Sequence, residues 1–197
     1  MPADLSDSGA PAVIVDTVLS RLGRIDVVVN NAATYVLKPF AELGLEDFDG
    51  HIAVNVRAPF LLVQAALPAL RDSPGAAVVN VSSAAAVMYR PGQALYGLSK
   101  AALEHLTRQL AAELAPDGIR VNAIAPGPTD TEFARGVVDD PAERNRRLAA
   151  MVPLGRLGRP EEVARWIVEL ADPASAWVTG AVIPVDGGRT LGPPEAV

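Results

Sequence analysis

Four apolar runs constrain the fold of this chain more tightly than any other feature. They are "IDVVVNNAA" at 25–33, "AAVVNVSS" at 76–83, "IRVNAIAPG" at 119–127 and "AWVTGAVIPVDGG" at 176–188. None alternates apolar with polar residues, as a strand with one wet face does. Runs of this kind suit strands covered on both faces, as in a parallel sheet wrapped by helices.

Helical patterns fill the gaps. Residues 8–23 place Ile14, Val18, Leu19 and Leu22 on one face, with Gly23 as the stop. Residues 45–71 predict a long helix or a broken pair, with Pro59 and Pro68 as breaks or starts. Residues 93–115 are Ala/Leu-rich and end before Pro116-Asp117-Gly118. Residues 159–170 put Pro160 in a first turn with two acids behind it, which suits the helix dipole. Residues 131–150 are polar, loop-like and then weakly helical. Strand–helix alternation predicts right-handed βαβ units in an open sheet.

Composition removes several classes of function. Half of the 197 residues are hydrophobic, enough for a sizeable core. The net charge of −6 disfavours nucleic acid, because phosphate contacts need clustered Lys and Arg. The densest basic run, Arg144, Arg146 and Arg147, sits beside Glu143 and is expected to form a solvated helix face. Without cysteine there is no disulfide, thiolate metal site or cysteine nucleophile. His51 and His105 have no partners at ligand spacing, so both are expected on helix surfaces and no metal is expected. The start "MPADLSDS" lacks the basic and apolar regions of a signal peptide. The apolar stretch 52–70 contains Asn55, Arg57, Pro59, Gln64 and Pro68, so no membrane span is expected. A cytoplasmic protein fits these features.

The chemistry concentrates in "VVNVSSAAAVMYRPGQALYGLSKAAL". Tyr96 and Lys100, four apart on a predicted helix, share one face. Ser83 ends a predicted strand, and ligands of open α/β sheets bind at such ends. A hydroxyl, a phenol and an ammonium together suit acid–base chemistry at an alcohol or carbonyl. A free phenol has a pKa near ~10, too high for a base at neutral pH. Lowering it by ~3 units takes ~4 kcal/mol, about what one ammonium ~4 Å away supplies at an effective dielectric of ~20. Ser83 could stabilise charge developing on a substrate oxygen. Tyr35 is expected to pack, Tyr89 to pack or to line a pocket, and Met151 and Trp166 to serve core or interface.

With these motifs, the sequence resembles the short-chain dehydrogenase/reductase family, most closely its bacterial 3-oxoacyl-carrier-protein reductase and alcohol dehydrogenase branch. The resemblance runs from about Asp4 to Gly188. It implies that Ser83, Tyr96 and Lys100 are the catalytic Ser, Tyr and Lys. It also implies that Asn55, in "VNVRAP", is the Asn that holds a water of the proton relay. "NNAA" at 30–33 resembles the family's Asn-Asn-Ala-Gly, so Asn31, Ala32 and Ala33 would line a cofactor site, with Ala33 in place of the final Gly. "PGPTDT" resembles the loop that touches the nicotinamide carboxamide, which implicates Pro126, Gly127, Thr129 and Thr131, with Thr129 where the family usually has Val or Ile. Tyr96 and Lys100 would also hold the nicotinamide ribose. "GRLGRPEEVA" and "VTGAVIPVDGG" resemble segments used in substrate-loop support and subunit contact. The implied activity is hydride transfer between NAD or NADP and a small-molecule secondary alcohol or ketone, in a dimer or tetramer of identical subunits.

One family feature is missing. The Gly-rich turn Thr-Gly-x-x-x-Gly-x-Gly, whose backbone cradles a pyrophosphate, does not occur. Thr179-Gly180 comes nearest, but Pro184 stands where a Gly is needed. Asp4 and Leu5 resemble the pair that ends the family's third strand and contacts adenine. The expected fold is therefore one partial domain, 1–197, a Rossmann-like doubly wound parallel sheet lacking its first strands and the phosphate-binding turn. Its "IDVVVNN" strand would be an open edge, prone to pair with another chain. That leaves an alternative, a short paralogue without catalysis that acts by associating with a full-length relative.

Overall fold

In the computed structural model, which describes residues 2–131 and 140–192, the four apolar runs form one parallel sheet. Its strands are β1 (Val27–Asn30), β2 (Ala77–Val81), β3 (Arg120–Pro126) and β4 (Val182–Val185), in the order β1-β2-β3-β4. The helices are α1 (Ala10–Leu22), α2 (Leu45–Ile52), α3 (Ala58–Arg71), α4 (Ala94–Leu114), α5 (Pro141–Ala149) and α6 (Pro160–Ala171). Of the polar stretch after Thr131, residues 132–139 lie outside the described residues.

Successive side chains of β2 point to opposite faces, and each face has its own helices. Val28, Val78 and Val121 pack with Val15 of α1, Val63 and Leu70 of α3, and Ala111 and Leu114 of α4. Val79 and Ile124 pack on the other face with Leu170 of α6, joined by Val163 and Ile167. The sheet advances one strand at a time, yet α3 and α4 cross on one face and α6 on the other. The β3–α6–β4 crossover therefore has the opposite hand to the first two, against the expectation that every unit shares the common right hand.

The expectation of strands covered on both faces holds for β2 and most of β3, but not for β1. Val28 and Asn30 are buried, while Val27 and Val29 stay 38% and 41% exposed on the face that α6 does not reach. The pairing partner of β1 in the sheet is β2, so among the described residues its other edge is open, as expected.

Residues 45–71 form the broken helix foreseen, with Pro59 as a start and Pro68 inside α3 as neither start nor break. Pro59 sits in the first turn of α3, and the irregular part is a π-helical turn over Ala53–Arg57. The run Leu45–Arg71 has the length and hydropathy to cross a membrane by composition alone. Its Val63, Ala66 and Leu70 are nonetheless packed into the sheet core.

Two further expectations are corrected. Asp4 and Leu5 do not end a strand: they lie in a turn, where the Asp4 carboxylate accepts the Ser6 N–H at 2.9 Å. His51 is not a surface residue. It is buried, with Nδ1 at 2.6 Å from the Asp47 carbonyl and Nε2 at 3.3 Å from the Val36 N–H. Those contacts fix its tautomer, with the proton on Nδ1.

Candidate active site

A cavity of about 780 Å³ opens at the carboxyl ends of β1, β2 and β3. Of the expected site residues, Asn31, Ala32, Ala33, Ser83, Tyr96, Lys100, Pro126, Gly127, Thr129 and Thr131 all line it. Asn55, Asp4 and Leu5 do not. The Asp4–Leu5 turn is capped locally and contributes nothing to this wall.

Ser83 lies two residues past the end of β2, in extended conformation, and its Oγ accepts the Ala85 N–H at 3.2 Å to start a 3₁₀ turn over Ala84–Ala86. α4 lies hard against that turn. A Cβ on Gly97 would come within 2.8 Å of the Ala85 carbonyl oxygen, so only glycine lets the backbones approach this closely. The approach brings Tyr96, on the same turn of α4, to Ser83.

Lys100, one helical turn on, is almost wholly buried. Its Nζ donates to the Val81 carbonyl at 2.7 Å and lies 5.7 Å from the centre of the Tyr96 ring. Burial lowers its pKa to about 8. Burial also holds the Tyr96 phenol above its ordinary value; a hydrogen bond with Ser83 opposes this and the nearby Tyr35 adds to it. The expectation that Lys100 depresses the phenol is thus not met in this arrangement. The ammonium is turned to Val81, and both groups are desolvated.

Asn55 sits on the π turn and is fully buried. Its Oδ1 accepts the Thr34 N–H at 2.8 Å, and its Nδ2 donates to the Thr34 carbonyl at 3.0 Å and to Ser99 Oγ at 2.9 Å. Both amide hydrogens are committed, leaving one lone pair of Oδ1. The side chain clamps the loop after β1 to α4, one residue from Lys100. That bonding makes the side chain a clamp in addition to whatever it holds through the remaining lone pair.

Further buried amides tie the layers together. Asn30 donates to Asn80 at 2.8 Å, and Asn80 donates to Thr107 of α4 at 2.8 Å. Behind Lys100, Ser82 Oγ donates to the buried Glu104 at 2.9 Å. At the end of β3, Gly127 backs onto Asp186 so closely that a Cβ would lie 2.6 Å from the Asp186 Cα. The Pro126–Thr131 loop is then strapped to the later Gly158 through Asp130 N–H to Gly158 carbonyl at 3.0 Å and Gly158 N–H to Pro128 carbonyl at 2.9 Å.

Tyr35 does more than pack. Its ring meets Tyr96 edge to face with centroids 5.0 Å apart, and its phenol oxygen accepts from Gln93 Nε2 at 3.0 Å. Tyr89 stands at the mouth, 99% exposed. Met151 lines the cavity, and Trp166 is partly exposed on α6. Sequence reasoning missed Arg90, Gln93, Arg144 and Arg189, which also line the wall. Arg146 and Arg147 do form the expected solvated face, paired with Glu143, but Arg144 turns inward. The available signal was its i,i+4 spacing to Leu148, which puts both on one face of α5.

Residues 1–190 match the family model described as enoyl-(acyl carrier protein) reductase. A 3-oxoacyl-[acyl-carrier-protein] reductase of Thermotoga maritima is 39% identical over 178 residues, 90% of this chain and 71% of that protein. A short-chain dehydrogenase/reductase from Serratia marcescens superposes with a TM-score of 0.89 at 36% identity, over 96% of this chain and 76% of that one. A blue fluorescent protein from a metagenomic library, solved in complex with NADPH, superposes with a TM-score of 0.87 at 37% identity, over 95% of this chain and 74% of that one.

Proposed function

This chain belongs to the short-chain dehydrogenase/reductase family of oxidoreductases, and from that premise we propose that it interconverts a secondary alcohol and a ketone at the Ser83–Tyr96–Lys100 cluster. The observation that carries the reading is the convergence of these three side chains on one cavity at the strand ends.

NAD or NADP would supply and accept the hydride when bound. The residues present fit its nicotinamide and ribose half. Asn31–Ala33 and, from the loop after β3, Pro126–Thr129 and Thr131 line two walls of the cavity, and Lys100 offers a buried ammonium to a ribose hydroxyl. Ser83 Oγ–H donates to the substrate carbonyl oxygen and polarises it. The Tyr96 phenol then gives its proton to that oxygen as negative charge builds. A phenol held above its ordinary pKa is protonated at neutral pH, so the arrangement is loaded for reduction. Oxidation needs the phenolate, which Lys100 stabilises by exchanging the Val81 carbonyl for the phenol side.

Oxidation of NADH and NADPH by a panel of ketones tests this reading. Tyr96→Phe should abolish turnover while leaving the melting temperature close to that of the parent chain. Turnover retained by Tyr96→Phe would remove Tyr96 as the acid.

We infer self-association as well. Phe60 of α3 and Leu98 of α4 are exposed and suit a dimer or tetramer of this chain with a small-molecule substrate in each subunit. The open edge of β1 favours a second reading, association with a full-length relative without catalysis. Turnover by the chain alone separates the two.

A further inference from the structure

The charge of the cavity wall runs against that of the chain. Asp and Glu outnumber Lys and Arg by 23 to 17, yet among the described residues the wall carries Arg90, Lys100, Arg144 and Arg189 and no carboxylate. Arginines elsewhere are mostly neutralised: Arg24 by Asp26, Arg71 by Asp117, Arg156 by Glu162. Arg90, Arg144 and Arg189 make no ion pair among the described residues. Arg144 Nη1 donates to Asn145 Oδ1 at 3.1 Å on its own helix, and Arg189 Nη2 reaches only Met151 Sδ at 3.8 Å.

These arginines come from three separate elements: the loop between β2 and α4, helix α5, and the turn after β4. Arg90 is exposed and Arg144 and Arg189 are half-buried, so water solvates them in part, and a cavity wall of this one sign attracts an anion. Burial lowers the Arg144 pKa, and repulsion from Arg90 lowers it further, so the two guanidinium groups share one electrostatic neighbourhood. Tyr35 and Asp130 oppose the shift, and Asp130 is not part of the wall. Tyr35 also packs edge to face on Tyr96. Arg90, Arg144 and Tyr35 therefore belong to one part of the cavity wall, the part that adjoins the Tyr96 ring. The wall also carries apolar side chains, among them Leu37, Met88, Leu148 and Met151.

We propose that the substrate is an anion: a ketone or secondary alcohol whose carboxylate or phosphate is held by Arg90 and Arg144, with Arg189 adding to the field. The inference rests on the oxidoreductase reading above and names its substrate class. Guanidinium groups suit this task because they bind planar oxyanions in bidentate fashion.

Matched pairs test it: 2-, 3-, 4- and 5-oxo carboxylates against their methyl esters, and dihydroxyacetone phosphate against dihydroxyacetone. At least one acid should exceed its neutral partner in kcat/KM by about tenfold or more, and the preference should shrink at high salt. The carboxylate and phosphate arms separate the two sources of charge. Arg144→Gln and Arg90→Gln should raise KM for the anion by about tenfold while leaving kcat and the neutral partner's KM in place, and Arg144→Lys should restore part of the loss. Equal use of acids and neutral ketones, or a preference that survives both substitutions, overturns the inference. So does a KM change confined to NADH or NADPH, which would make the arginines cofactor ligands. Should every ketone prove inert, the oxidoreductase reading falls separately. Calorimetric titration of the same anions, with and without Arg144→Gln, then decides the anion site alone: heat lost in the variant supports it, and no heat in the parent chain overturns it.

Discussion

Lys100 stands 5.7 Å from the centre of the Tyr96 ring, yet it gives its short hydrogen bond, 2.7 Å, to the Val81 carbonyl. The two groups are neighbours without being an ion pair. Burial therefore dominates both and favours each neutral form, a phenol and an amine. Lys100 is moved from its ordinary 10.5 to about 8, which has a consequence for stability.

Between pH 8 and 10 the unfolded chain holds a proton at Lys100 that the folded chain has lost. Stability therefore rises with pH across that window, by about 2 kcal/mol, and the charged lysine is a liability below it. Above pH 10 the raised Tyr96 pKa works in the opposite direction, because the folded chain then keeps a proton that the unfolded chain gives up. Urea unfolding of the parent chain and of Lys100→Met at pH 8, 9 and 10 isolates the lysine contribution. The parent-minus-variant difference should climb with pH; a flat difference would show that Lys100 titrates normally.

Asn55 is expected to matter for stability as much as for rate. Asn55→Ala takes the partner of the Thr34 N–H and one partner each of the Thr34 carbonyl and the Ser99 hydroxyl, which keeps its bond to the Tyr96 carbonyl, at a cost of about 1–3 kcal/mol. Thermal melts check this directly. A variant that melts with the parent chain but turns over slowly would favour the relay role over the clamp.

The element pattern was legible because runs such as "AAVVNVSS" and "IRVNAIAPG" are apolar on both faces and only a covered parallel strand wants that. Ser83, Tyr96 and Lys100 were legible because two of them lie four apart on one helix and the third ends a strand. The rest depended on long-range packing. His51 looks like any polar helix residue until the loop at Val36 folds over it. Arg144 differs from Arg146 and Arg147 only in which face of α5 it occupies. The role of Asn55 as a clamp needs the π turn, which has no signature in "AVNVR". The position of the Lys100 ammonium is a contest between Val81 and Tyr96 that spacing alone does not decide.

Gly97 carries the geometry of the site. In Gly97→Ala the new methyl would meet the Ala85 carbonyl oxygen at 2.8 Å, so α4 must move off the Ser83 turn by a few tenths of an ångström or more. Backbone offers no rotamer to relieve the contact. The expected loss is about 1–3 kcal/mol of stability, with a larger proportional fall in kcat, because the Ser83 and Tyr96 hydroxyls no longer share one oxygen position. Gly118→Ala, where nothing lies within 4 Å but φ is +72°, serves as a control that loses stability through backbone strain without touching the site. Equal kcat in the two variants would place the tight approach outside the chemistry.

The edge of β1 makes the last prediction. Val27 and Val29 are exposed on one face, Val28 and Asn30 are held on the other, and the backbone groups of the outer edge have no strand beside them among the described residues. A flat apolar edge of this kind pairs with other chains. The chain is therefore expected to associate with rising concentration in sedimentation velocity. Val27→Lys with Val29→Lys should shift that association to higher concentration at little cost in stability, since both side chains already reach solvent. The Asn30–Asn80–Thr107 ladder, at 2.8 Å for each amide link, anchors the buried side of the strand and should keep β1 in register in the double variant. A parent chain that stays monomeric at all concentrations and melts reversibly in one sharp transition would show that the edge is not sticky, and would also remove the association reading of its function.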